Sequence, residues 1–196
     1  MQEEKKLNPP TLIGRKLEDL EFDIFHKNEI KKVKFEDYKG KWLILFFYPA
    51  DFTFVCPTEL EDMADTYEEF QKNDAEVISF STDTVFVHKA WYDNSEAIAK
   101  IKFPMGADPT GKVAKSLGVY IDEEGLALRG SFIIDPEGVI KAYEVHDNNI
   151  GRSAKEFLRK LQAALYVAKH GGEVCPARWQ PGDDTLKPGL DLVGKI

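Results

Sequence analysis

Seven consecutive apolar residues, Trp42 to Tyr48, run straight into Pro49. Such a run is far short of the roughly 20 residues that span a bilayer, and its aromatic and aliphatic make-up suits a strand buried on both faces. Downstream, Leu60, Met63, Ala64, Tyr67 and Phe70 recur at helical spacing and predict a helix with one apolar face. Between them lies Pro49–Ala50–Asp51–Phe52–Thr53–Phe54–Val55–Cys56–Pro57–Thr58–Glu59. Pro57 suits a first helical position, where a missing N–H is harmless, and Thr58 with Glu61 offers an alternative capping box. Either start leaves Cys56 at or just before a helix N-terminus, where unpaired N–H groups and the macrodipole favour a thiolate. The order strand, Pro-marked loop, helix-capping cysteine makes Cys56 a candidate nucleophile.

The remaining pattern places this unit in a larger sheet. Leu20–Phe25 alternates apolar and polar residues, and Lys31–Phe35 is its expected hairpin partner across His26–Lys27–Asn28–Glu29. Glu76–Ser81 is a second buried strand, Asp83–Lys100 an interrupted helix, and Phe103–Ala107 a short strand. Arg129 opens the strand Gly130–Ile134, which turns at Asp135–Pro136–Glu137–Gly138 and returns as Val139–Val145. Ser153 and Glu156 form an expected capping box for a helix Ala154–His170, ended by Gly171–Gly172. The order predicts an α/β fold of thioredoxin-like type, a central mixed β-sheet flanked by helices, with an N-terminal β-hairpin. The expected division is a domain over 1–170 and a C-terminal arm over 171–196, the latter rich in Pro, Gly and Asp and carrying Cys175 and Trp179.

A net charge of −8 argues against nucleic acid as the main partner, and no membrane partner is expected. Met1–Gln2–Glu3–Glu4–Lys5–Lys6 leads into no apolar stretch, so a cytoplasmic protein is the expectation. The two cysteines, Cys56 and Cys175, lie too far apart for a Cys-x-x-Cys pair or a Cys-rich zinc site. In a reducing compartment they are either two unrelated buried thiols or a transient catalytic disulfide. His88 and His146 show no metal-ligand spacing and read as structural or surface residues; no metal or cofactor is expected.

Pro49-x-x-x-Thr53-x-x-Cys56, continuing Pro57–Thr58–Glu59, resembles the active-site signature of peroxiredoxins. Glu173–Val174–Cys175–Pro176–Ala177 and Arg129 at its strand entry extend the likeness, and the ending Leu190–Ile196 is similar to that of the bacterial alkyl hydroperoxide reductase branch. The resemblance implies a typical two-cysteine peroxidase that reduces hydroperoxides. Cys56 would be the peroxidatic thiol and Cys175 the resolving thiol, supplied by the partner of a homodimer, which in this family often assembles as a pentamer of dimers. It implies a thioredoxin-like protein or a flavoprotein disulfide reductase as electron donor. Segment 108–130 lacks the Gly-Gly-Leu-Gly insert of oxidation-sensitive members, which implies a robust enzyme.

A thiolate alone is insufficient for a fast peroxidase. An ordinary thiol of pKa about 8.5 is roughly 3% ionised at pH 7, and a pKa of about 6 raises that about 30-fold. Nucleophilicity falls roughly 13-fold over the same change, leaving a net gain of about twofold. The remainder must come from donors aimed at the peroxide oxygens. Arg129 and the N–H of Cys56 are the expected donors, and Thr53 would accept a peroxide proton and donate in return. Pro49 would shield the thiolate, Glu59 with Arg152 would orient Arg129, and Trp91 would pack beside the loop. A reading of a different class is a ring-shaped holdase, for which Val85, Phe86 and Val87 would form an apolar patch.

Overall fold

The computed structural model describes residues 11–195 and forms two compact units, Met1–Arg152 and Ser153–Ile196. The stretch Met1–Lys6, read above for its lack of an apolar leader, lies outside the described residues. In the first unit, β1 (Glu21–His26) and β2 (Glu29–Lys34) form the N-terminal hairpin. Its turn is only Lys27–Asn28, both at positive φ (52° and 60°), a geometry that matches strand twist and lets pairing start two residues earlier than the polar composition suggested. The central strand β3 (Trp42–Phe47) is buried along its whole length. It continues through the Cys56 loop into α1 (Cys56–Lys72), then β4 (Ala75–Ser81), α2 (Val85–Asn94), β5 (Met105–Ala107) and α3 (Lys112–Ser116). A small hairpin, β6 (Tyr120–Ile121) and β7 (Leu126–Ala127), precedes β8 (Arg129–Ile134) and β9 (Ile140–His146).

The seven-stranded sheet has the order β2-β1-β5-β4-β3-β8-β9. β3, β4 and β5 are parallel, and β8 joins β3 antiparallel, the mixed arrangement expected of a thioredoxin-like sheet. Leu43, Leu45 and Phe47 point to one face, where Phe80, Phe132 and Ile134 meet Val113 and Ala114 of α3. Ile44 and Phe46 point to the other, and α1 and α2 pack on the sheet through β4, β1 and β5. Burial on both faces explains why β3 reads as an unbroken apolar run.

Two local expectations fail. Thr58 does not cap α1: its hydroxyl donates to the Val55 carbonyl at 2.7 Å, and Glu61 pairs instead with Lys100. Of the three residues expected to form an apolar patch, Phe86 is exposed but Val85 is buried, because consecutive helical positions face different directions.

In the second unit, Ser153 caps α4 (Ala154–Lys169) by accepting from the Glu156 N–H, while the Glu156 carboxylate pairs with Arg159. The arm folds back on α4. Tyr166 donates to Glu173 at 2.7 Å and its ring lies 5.0 Å from that of Trp179, Arg159 donates to the Trp179 carbonyl, and Val174 bridges Leu186. Cys175 is half-buried there, its Sγ 3.9 Å from the Ala163 carbonyl oxygen. Burial pushes its thiol above the ordinary range, with Arg159 opposing. Among the described residues no helix is long and apolar enough to cross a membrane.

Candidate active site

Cys56 is the first residue of α1 and is fully buried. Pro57 therefore sits one position deeper than expected, and the Cys56 N–H has no acceptor within its own helix. The loop before it leaves β3 with Tyr48, whose N–H donates to Phe80, and buries Pro49. Phe52 adopts a positive φ of 55°, a strained choice for an aromatic residue, and lays its ring 5.9 Å from that of Trp91. Trp91 is buried and also meets Tyr48 at 6.1 Å, so α2 braces the loop through one indole.

Arg129, the first residue of β8, reaches Cys56 across the β3–β8 pair. Its Nη1 donates to Sγ at 3.4 Å and to Glu59 Oε2 at 2.6 Å, while Nε and Nη2 both donate to the Asn148 carbonyl at 3.0 and 2.9 Å. A guanidinium carries five N–H groups. Four are thereby accounted for, and among the described residues the fifth, on Nη2, is left for a ligand oxygen.

Glu59 lies one helical turn from Cys56. It accepts from Arg129 and also from Arg152 through Nε (2.9 Å), Nη2 (3.0 Å) and the backbone N–H (2.8 Å). Arg152 Nη1 is held by the Gly130 carbonyl and Ser131 Oγ, both at 2.9 Å, and the guanidinium stacks over Phe46 at 3.6 Å. Two buried cations thus face one buried carboxylate, and a thiolate at Sγ brings the cluster to neutrality. Burial pushes the Glu59 carboxyl up, but the hydrogen bonds and charge of Arg152, with the charge of Arg129, outweigh it and hold it below the ordinary range. A carboxyl lowered on folding stabilises the fold above its unfolded value, about 4.3, and loses that contribution as pH falls below it. Glu59→Gln should therefore cost about 3 kcal/mol at pH 7, because two buried cations lose their counter-charge. Urea unfolding of wild type should weaken below about pH 4.3 more steeply than that of the variant.

Thr53 is half-buried, and its hydroxyl donates to the Ala50 carbonyl at 2.9 Å. Its proton is committed in this state to the loop, and its lone pairs are what it can offer. Cys56, Glu59, Arg129 and Arg152 form one bonded cluster; Pro49, Thr53 and Trp91 belong to the loop and its support. Cys175 belongs to the second unit. Sequence reasoning missed Asn148, which acts through its backbone carbonyl and so leaves no side-chain signal. It also missed Asp51 and His88, treated below. Among the described residues no cluster of His, Cys, Asp and Glu could hold a metal.

Comparison with known proteins points the same way. Residues 13–143 match the model of the AhpC/TSA family, and residues 164–193 match the C-terminal domain of 1-Cys peroxiredoxin. Over 186 residues the chain is 53% identical to alkyl hydroperoxide reductase C of Pseudomonas aeruginosa, covering 95% of this chain and 100% of that protein. The protein of the same name from Escherichia coli K12 is 52% identical over the same coverage. The crystal structure of Enterococcus faecalis AhpC matches with a TM-score of 0.82 at 54% identity, covering 84% of this chain and 99% of that one. Reduced Plasmodium vivax 2-Cys peroxiredoxin matches with a TM-score of 0.88 at 32% identity, covering 93% and 96%. A buried cysteine opening a helix, held by an arginine that a glutamate locks in place, is thus found in a chain that belongs to the AhpC/TSA family of peroxiredoxins.

Proposed function

We propose that this thiol peroxidase reduces hydrogen peroxide and organic hydroperoxides at Cys56, with Cys175 as resolving thiol. The observation that carries the site assignment is the 3.4 Å bond from Arg129 Nη1 to Cys56 Sγ, made by a guanidinium locked on its other sides by Glu59 and Asn148. Sγ as thiolate attacks one peroxide oxygen, the O–O bond breaks, and the departing alkoxide or hydroxide takes a proton. The remaining N–H on Arg129 Nη2 and the Cys56 N–H donate to the oxygens as charge moves between them. Thr53 accepts from the peroxide O–H, and Pro49 keeps water from the sulfur. Cys56 is left as sulfenic acid, which condenses with a thiol to a disulfide and releases water.

That thiol is Cys175 of a second copy in a homodimer, carried on the arm 171–196, and such dimers assemble further as a pentamer. An external dithiol carrier, a thioredoxin-like protein or a flavoprotein disulfide reductase, returns both sulfurs to thiols in the cytoplasm. The half-buried Cys175 and the Tyr166 and Arg159 contacts support an arm that must open from α4 before it delivers its thiol. A non-reducing gel after one equivalent of peroxide tests the pairing. Wild type should give a covalent dimer, and Cys56→Ser and Cys175→Ser should each give monomer. A dimer that persists in either single variant contradicts the intersubunit disulfide.

A further inference from the structure

A polar network that the peroxidase chemistry does not use lies behind the Cys56 loop, and Asp51 is its centre. The Asp51 N–H donates to Asp83 Oδ2 at 2.8 Å, and Oδ1 accepts from the Tyr48 hydroxyl at 2.7 Å. Oδ2 faces His88 Nδ1 at 2.7 Å, and both side chains are fully buried. The far side of the imidazole, Nε2, lies 3.1 Å from the Gly106 carbonyl of β5. Gly106 itself lies against Phe80, whose ring a Cβ there would meet at 2.5 Å.

A carbonyl oxygen can only accept, so Nε2 must carry a hydrogen. A neutral imidazole protonated at Nε2 has a lone pair on Nδ1, and a carboxylate opposite it has only lone pairs too. Two acceptors do not sit 2.7 Å apart in a dry interior without a proton between them. We propose that Asp51 and His88 share one buried proton, and that the pair acts as positioning residues holding the Cys56 loop in its reactive conformation. The other titratable groups facing the pair are Tyr48, which donates to it, and Asp83, which is bonded to the Asp51 N–H and to Ser81 Oγ at 2.7 Å. Burial pushes the Asp51 carboxyl above the ordinary carboxylate range against the opposing effect of His88, in keeping with a pair that retains its proton. Through this pair α2 and β5 grip the loop five residues before Cys56, next to the strained Phe52 that leans on Trp91. The inference rests on Cys56 being the peroxide-reactive thiol.

Asp51→Asn supplies a fixed N–H to Nδ1 and keeps a carbonyl oxygen for Tyr48, so it replaces the shared proton with a permanent one. Its rate constant with peroxide at pH 7 should stay within about threefold of wild type, whereas His88→Leu should fall by at least about tenfold through misplacement of the sulfur. Nitrogen-15 spectra of the histidine rings in the reduced wild type, with no peroxide present, should show Nε2 of His88 protonated and a strongly deshielded proton bridging to Asp51, absent in Asp51→Asn. An unprotonated Nε2 overturns the shared proton whether or not His88→Leu folds. Asp51→Asn losing as much rate as His88→Leu, or His88→Leu retaining the wild-type rate, overturns the positioning role. Wild type that consumes no peroxide would overturn instead the assignment of Cys56.

Discussion

Replacing Cys56 with Ser should lower peroxide consumption by at least about 10⁴-fold, to the level of buffer, in an assay coupled to a dithiol reductant. The substitution changes one atom and keeps the side-chain volume nearly constant, so the buried pocket and the Arg129–Glu59–Arg152 cluster should survive. What it removes is the proposed nucleophile. A serine hydroxyl holds its proton far above neutral pH, and among the described residues no base is bonded to Sγ that could take it: the side chain bonded there is the Arg129 guanidinium, a donor. Arginine can stabilise an anion that already exists but cannot create an alkoxide. An unchanged melting temperature beside lost turnover separates this outcome from unfolding.

Arg129→Met should lower the second-order rate of Cys56 with peroxide by about 10²–10³-fold, the usual effect of removing one donor aimed at developing charge. The comparison of thiolate fraction with nucleophilicity predicts this. Ionisation supplies only about a twofold gain, so a fast reaction must draw on the donors around the peroxide. Methionine fits the length of arginine and leaves Arg152 and Glu59 as a charge-matched buried pair, so the fold should persist. The Asn148 carbonyl loses two donors, a loss of about 1–3 kcal/mol in stability. Arg129→Lys retains the charge but cannot reach Sγ, Glu59 and Asn148 at once from a single ammonium, so it should recover only part of the rate. Stopped-flow fluorescence, with Trp91 against the loop as reporter, measures both variants. A rate within threefold of wild type in Arg129→Met would remove Arg129 from the chemistry.

The features legible in the sequence share one property: they are written in local periodicity or in short spacing. β3 is readable because both its faces are buried, and α1 because its apolar stripe repeats every three to four residues. Cys56 at their junction, and its neighbour Glu59, follow from those two. Turn chemistry was harder. The β1–β2 turn is two residues rather than four because Lys27 and Asn28 both accept positive φ, which charge and polarity alone do not announce. The β6–β7 hairpin has strands of two residues, too short to show a period. Thr58 and Glu61 had capping-box spacing, yet the hydroxyl found the Val55 carbonyl and the carboxylate found Lys100, both tertiary or turn partners invisible to the spacing rule. The Pro- and Gly-rich arm carries no periodicity from which its packing could be read. In the fold, Tyr166, Trp179 and Arg159 tie it to α4, because one aromatic pair and a few hydrogen bonds suffice to order a short segment. The Asp51–His88 pair was illegible because its members come from a loop and a helix 37 positions apart and match no catalytic spacing.

The proposed function makes Sγ of Cys56 the atom that takes oxygen from peroxide. It is tested most directly in Cys175→Ser, where the first oxidation product cannot be resolved. One equivalent of hydrogen peroxide, followed at once by a sulfenic-acid trap and peptide mass analysis, should place a single trapped oxidation on Cys56 and leave Met63 and Met105 unmodified. An unmodified Cys56 with the peroxide consumed elsewhere in the chain would contradict the account.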